Sequence, residues 1–148
     1  MQKTLILILA LIFIAQLVNA AEVCVIAYYR NEEADSKCIS IDEGKNGYEL
    51  LNELGWDIDW VDFGGDLGHG LCGINDVGGT SDNCWIGDKY WNFRIAQSGE
   101  WQYTDYGFDG NPHYETKNGD FLGLAYGTYG SEPEMFKVNI SKIYVFEV

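Results

Sequence analysis

The sequence predicts an α+β fold, a small sheet built largely from hairpins and laid on one short helix. Three observations carry this. Residues 22–29 and 38–42 are β-branched or strictly alternating runs, joined by a charged turn over 30–36, and read as a hairpin. Only one segment, after Asn46, combines helical periodicity with start and stop signals. Most of the remaining chain reads as aromatic, strand-like runs separated by turn residues, the pattern of strands gathered around a lone helix.

In chain order, residues 1–20 come first and read as a cleaved signal peptide. Lys3 supplies the positive start, residues 5–18 are apolar except for Gln16, and Val18-Asn19-Ala20 is a small-residue cleavage signal. The apolar run is too short to span a bilayer comfortably, and an uncleaved anchor is the competing reading. The mature chain is then 21–148, of single-domain length and large enough to bury one core, with secretion or the cell surface as its destination. No later segment predicts membrane insertion. Loss of Lys3 takes the formal charge from −14 to −15. A surface this acidic cannot neutralise phosphates, which excludes nucleic acid as a partner and disfavours an anionic membrane.

Cys24, Cys38, Cys72 and Cys84 all follow the signal segment, and an even number of exported cysteines predicts two disulfides. Of the three connectivities, the local one is expected. The first hairpin brings Cys24 near Cys38, and Cys72 and Cys84 bracket a loop whose closure is worth about 3 kcal/mol. Paired zinc-type spacings are absent.

The helix starts at Asn46, whose partner Glu49 completes a capping box. Tyr48, Leu51 and Leu54 share a face with Leu50 beside them, and Gly55 is placed to end the helix, with Trp56 folding back on Leu51. Two turns cannot persist alone in water, so the helix must lie on a sheet. Residues 57–70 read as an acidic, glycine-rich loop. Asp57, Asp59, Asp62 and Asp66 raise calcium, but the spacing is not that of an EF-hand, and a solvated loop without metal is expected. Residues 72–75 read as a short apolar turn opening the 72–84 loop. Residues 90–95 and 100–106 form a second hairpin through Gln97-Ser98-Gly99, residues 107–118 a loop, 121–126 a buried strand, and 135–148 an extra C-terminal strand. Asn139 heads a glycosylation sequon, Asn-Ile-Ser.

No catalytic machinery is legible. His69 and His113 lie in separate loops, no nucleophile elbow is present, and every cysteine is committed to a disulfide. The positive signal is aromatic: five Trp and ten Tyr in a small chain. Alternation over 90–95 turns Trp91 inward and Tyr90 and Asn92 outward, and Trp85, beside a disulfide in a glycine-rich loop, is a candidate for surface display.

The order of motifs resembles a known family. Gly47-x-x-Leu50-Leu51-x-x-Leu54-Gly55 is followed by Cys72-Gly73-Ile74-Asn75, then Tyr90-Trp91-Asn92-Phe93, then Gly119-Asp120 before a strand ending Tyr126-Gly127. Over roughly 22–127 this is similar to the C-terminal β-domain of transcobalamin and intrinsic factor, a domain also found without known function in exported microbial proteins. The resemblance implies a β-grasp fold, no enzymatic activity, and ligand contact through the loops around Asn75 and Tyr90. In the carriers this domain is one side of a clamp on the corrinoid and a helical barrel is the other; these 148 residues hold no such barrel. The four-cysteine arrangement and the tail after Gly127 depart from the family pattern. Three functional expectations result: a binding module recognising a small molecule or protein through Asn75, Trp85, Tyr90 and Asn92; a cell-surface structural or adhesion unit; and cobalamin capture.

Overall fold

A computed structural model of the chain describes residues 20–29, 33–103, 107–128 and 133–137. Almost all of the predicted signal peptide, the sequon at Asn139 and residues 138–148 of the expected C-terminal strand lie outside these. The strands are β1 (Ala20–Tyr28), β2 (Ala34–Asp42), β3 (Ile58–Asp62), β4 (His69–Ile74), β5 (Val77–Gly78), β6 (Lys89–Gln97), β7 (Glu100–Tyr103) and β8 (Phe121–Thr128), with one α-helix among the described residues, α1 (Gly47–Glu53). Five strands form a mixed sheet in the order β2-β1-β8-β6-β7, and β3-β4-β5 form a smaller one. β1 and β8 run parallel at the centre; every other strand pair is antiparallel.

The inner face follows from period-two patterning. β1 buries Ala21, Val23, Val25 and Ala27, β8 adds Leu122 and Leu124, and β6 adds Trp91 and Ile95. Leu50 and Leu51 of α1 and Leu54, its C-cap, close this core. The helix is capped as its sequence requires: Glu49 N–H donates to Asn46 Oδ1 at 2.9 Å, and Asn46 N–H donates back to Glu49 Oε2 at 3.1 Å. At the other end Gly55 takes φ +72°, and Lys37 reaches from β2 to donate to the Leu54 carbonyl at 2.6 Å. A cation there complements the helix dipole. Cys24 and Cys38 face each other across β1 and β2 and are bonded, with their Cα atoms 3.9 Å apart.

The opposite face of the sheet is covered as well. Trp101, Ala125 and Phe136 form a second cluster, flanked by Ile26, Tyr28, Ala96 and Phe121. Trp101 lies so close over Gly123 that a Cβ there would sit 2.7 Å from its ring. A glycine inside a buried strand thus makes room for an indole.

Two segments differ from expectation. Residues 57–70 are mostly a hairpin, β3 and β4, around a single 3-10 turn at Gly65–Leu67, and Cys72-Gly73-Ile74 completes β4, so the turn falls at Asn75-Asp76. Exposed aspartates on β3 masked the alternation. Trp60 faces the body, its ring 4.9 Å from that of Tyr48 and 5.2 Å from that of Phe108. The strand is thus held by tertiary packing that overrides its polar composition. Residues 134–137 form a 3-10 turn, where the sequence suggests that a strand begins.

Leu54 is fully buried at the point where α1 meets the sheet. Leu54→Ala is expected to lower unfolding stability by about 2–5 kcal/mol in urea titrations; a loss below about 1 kcal/mol would show that the helix does not seal the core.

Candidate functional site

The Cys72–Cys84 bond pins the loop that β4 opens. Both cysteines are buried. Inside the loop Gly79 N–H donates to the Cys72 carbonyl at 2.8 Å, and Thr80 and Asn83 exchange backbone bonds at 3.2 and 3.0 Å. The next residue after the staple is Trp85. It is 57% exposed and lies flat on Phe63, from the end of the β3–β4 hairpin, with ring centroids 5.6 Å apart and planes 8° from parallel. Ile86 is exposed beside it in sequence. Two anchored loops therefore present a stacked aromatic pair to solvent.

On the other side of the same loop, Asn75 closes a polar network with the end of β1 and the start of β2. Its Nδ2 donates to Tyr29 Oη at 3.0 Å and to Asp35 Oδ2 at 2.9 Å, and Tyr29 Oη donates to the same carboxylate oxygen at 2.8 Å. Asn75 exchanges two further bonds with the Asp57 backbone, 3.0 Å to its Oδ1 and 2.7 Å from its N–H. Burial and the Asp35 hydrogen bond both push the Tyr29 phenol far above its usual range, so it remains an O–H donor. Tyr29, Glu33, Ala34, Asp35, Asn75 and Val77 line a cleft of about 430 Å³ here.

The four residues singled out in the sequence are thus not one cluster. Asn75 belongs to the cleft and Trp85 to the aromatic pair. Tyr90 is half-buried at the start of β6, opposite Gly127 of β8. Asn92 does not face outward to solvent: it is 6% exposed and its Nδ2 donates to the Ala125 carbonyl at 3.3 Å. Alternation placed it correctly on the face opposite Trp91, but that face is covered, and Gly127 beside it packs under Pro133.

No family model and no curated protein matches the sequence. Solved structures do match. A candidate metal binding protein from Ruminococcus gnavus ATCC 29149 aligns at 12% identity and TM-score 0.51, over 73% of this chain and 97% of that one. Haptocorrin in complex with Cbi aligns at 12% identity and TM-score 0.55, over 77% of this chain and 26% of haptocorrin. What they share is a β-grasp-like fold. The chain spans about a quarter of haptocorrin, and the likeness supports a distant relationship of fold with the transcobalamin and haptocorrin β-domains.

A further polar pair in this β-grasp-like body went unnoticed in the sequence. His69, opening β4, donates its backbone N–H to Asp109 Oδ1 at 2.6 Å, and its Nδ1 meets Asp109 Oδ2 at 2.6 Å. The imidazole stacks on Tyr48 at 4.1 Å. No cysteine or serine contact accompanies the pair among the described residues, and its geometry is that of a latch between β4 and the 107–113 loop. Among the described residues no three His, Cys, Asp or Glu side chains converge as a metal site would require, and no helix is long and apolar enough to cross a membrane. His69–Asp109 had no sequence signal, since forty residues separate the partners. Asp35 had one: the Cys24–Cys38 register places it opposite Ala27, two residues before Tyr29.

Burial alone would raise the Asp109 carboxyl, but its hydrogen bonds from the His69 backbone and ring outweigh this and hold it below its usual value. A depressed carboxyl contributes stability that is complete above its unfolded value of about 4 and is lost as pH falls through the folded one. Asp109→Asn should therefore be less stable than the parent at neutral pH, with the difference shrinking on acidification below about pH 4. A constant difference in thermal unfolding from pH 7 to 3 would show that the carboxylate charge plays no part.

Proposed function

We propose that the chain is an exported, disulfide-stabilised, non-enzymatic recognition module that engages a partner through the surface around residues 72–93. The observation that supports this most is the stacked Phe63–Trp85 pair, open to solvent on a loop whose base is cross-linked and buried. A rigid exposed indole loses little entropy on binding and gives up much apolar surface, and tryptophan is prominent among residues that dominate interface energies. Two disulfides agree with an oxidising compartment, and residues 1–20 supply the address.

A photo-crosslinking residue placed at 85 or 63 in the exported chain should yield a discrete adduct. The same residue at Tyr103, which is also exposed but on β7, should not. Excess purified parent should compete the adduct away, and Trp85→Ala protein should compete at least tenfold less well while retaining its melting temperature. Equal labelling at all three positions, or equal competition by the variant, would favour a structural or adhesion unit whose aromatics carry no recognition.

The haptocorrin likeness, to a structure holding Cbi, favours a second reading in which the ligand is a corrinoid. Titration of cobalamin into the purified chain should then quench tryptophan fluorescence saturably and shift the visible spectrum; an unchanged spectrum at high ligand removes this reading and leaves the first standing.

A further inference from the structure

The aromatic pair is framed by carboxylates, and this frame selects the charge of what it meets. Phe63 closes the tip of the β3–β4 hairpin, its N–H donating to the Gly68 carbonyl at 3.0 Å. It lies against β4, where a Cβ at Gly70 would fall 2.6 Å from its ring. Trp85 stacks on Phe63 and is the more open of the two rings, 57% exposed against 42%. Trp85 also sits between two tight turns, one closed by the Thr80–Asn83 bridge and one by the Ile86–Lys89 bridge. Each turn carries an exposed aspartate, Asp82 in the first and Asp88 in the second, and the hairpin tip carries two more, Asp62 beside Phe63 and Asp66. Residues 62–67 and 81–88 hold no lysine or arginine, and Lys89, next in the chain, is half-buried at the start of β6.

We infer that the partner engaged by this surface is a basic, arginine-bearing protein segment, one guanidinium lying flat on the open face of Trp85 and neighbouring arginines meeting the aspartates around it. The inference rests on the recognition role proposed above for the same surface and names the chemistry of its partner. An indole face attracts a cation through its quadrupole. A guanidinium is planar, weakly hydrated and always charged, so it adds a layer to the Phe63–Trp85 stack while its N–H groups reach carboxylates. An ammonium, compact and strongly hydrated, does this less well. An uncharged partner would cover the indole but gain nothing from the four aspartates, and an acidic one would be repelled by them. A second copy of this chain is disfavoured for the same reason: each copy has a formal charge of −14, and the same carboxylates would face one another across a twofold axis. That net charge also steers a basic partner toward the chain.

The probe is a blocked heptapeptide of alternating glycine and arginine, titrated into the purified chain and followed by NMR of the Trp85 indole N–H and the Ile86 amide. Both signals should shift saturably, and the same peptide with citrulline, an uncharged isostere, in place of arginine should bind at least tenfold more weakly. Raising sodium chloride from about 0.05 M to about 0.5 M should weaken the arginine peptide severalfold, since exposed charges are screened at that strength. Lysine in place of arginine should give an intermediate affinity. The triple variant Asp62→Asn/Asp82→Asn/Asp88→Asn should bind at least tenfold more weakly at an unchanged melting temperature. Glu100→Gln, which removes an exposed charge on β7, should bind as the parent does. Equal binding of the citrulline peptide, indifference to salt, tighter binding of a neutral oligosaccharide at Trp85, or Trp85 shifts that grow with protein concentration alone, as a second copy would give, would each overturn the assignment. The citrulline and salt comparisons use the parent chain, so they decide the matter whether or not the triple variant folds. A discrete crosslink at residue 85 that the triple variant competes as well as the parent does overturns the basic partner and leaves the recognition surface standing; equal labelling at 63, 85 and 103 removes the surface itself.

Discussion

Everything in this molecule is arranged around the parallel pairing of β1 with β8 at the centre of the larger sheet. Parallel neighbours cannot be joined by a tight turn and need a long crossover. Here the chain spends residues 29–120 on that crossover, and the helix, the small sheet and the β6–β7 hairpin are all built within it. The central strand β8 is buried on both faces over Leu122–Ala125, so its neighbours must supply two cores, one sealed by α1 and one by Trp101 and Phe136. The helix is only seven residues long; its capping box fixes where it begins, and Leu50, Leu51 and the C-cap Leu54 on the sheet are what keep it folded.

With the body fixed in this way, the segments available for recognition are those the crossover leaves outside it. The β3–β4 hairpin and the stapled loop lean on the body through Trp60 on one side and Asn75 on the other. The Cys72–Cys84 bond removes most of the freedom a twelve-residue loop would otherwise have. The exposed tryptophan on this loop is held by its stack on Phe63, and the Asp35 carboxylate by Tyr29 and Asn75. Preorganisation of this kind lowers the ordering cost of association.

The sequence was most informative where a local rule acts alone. The Asn46–Glu49 cap, the Gly55 stop, the Ser98-Gly99 hairpin and both disulfide pairs could be read from short spacings, and Trp91 could be placed in the core by alternation. It misled where tertiary context overrides the local signal. Aspartates hid β3, because only the packing of Trp60 shows that the alternate side chains face a core. Asn92 read as outward because one covered face is the usual expectation for an antiparallel strand, and a second cluster made from distant residues covers the other. The stack of Trp85 on Phe63 and the clasp of His69 on Asp109 join segments twenty-two and forty residues apart, and neither partner carries any mark of the other in sequence.

The account rests on a loop that is held in place independently of the body that supports it. Hydrogen exchange on the parent and on the Cys72→Ala/Cys84→Ala double variant tests this most directly. The expected result is unchanged protection in β1, β8 and α1, with amides of residues 75–86 exchanging faster by an amount equivalent to about 3 kcal/mol of lost closure. Collapse of protection throughout the sheet would make the bond a requirement of the fold as a whole, and unchanged exchange in the loop would mean that the disulfide does not hold it; either result contradicts the account.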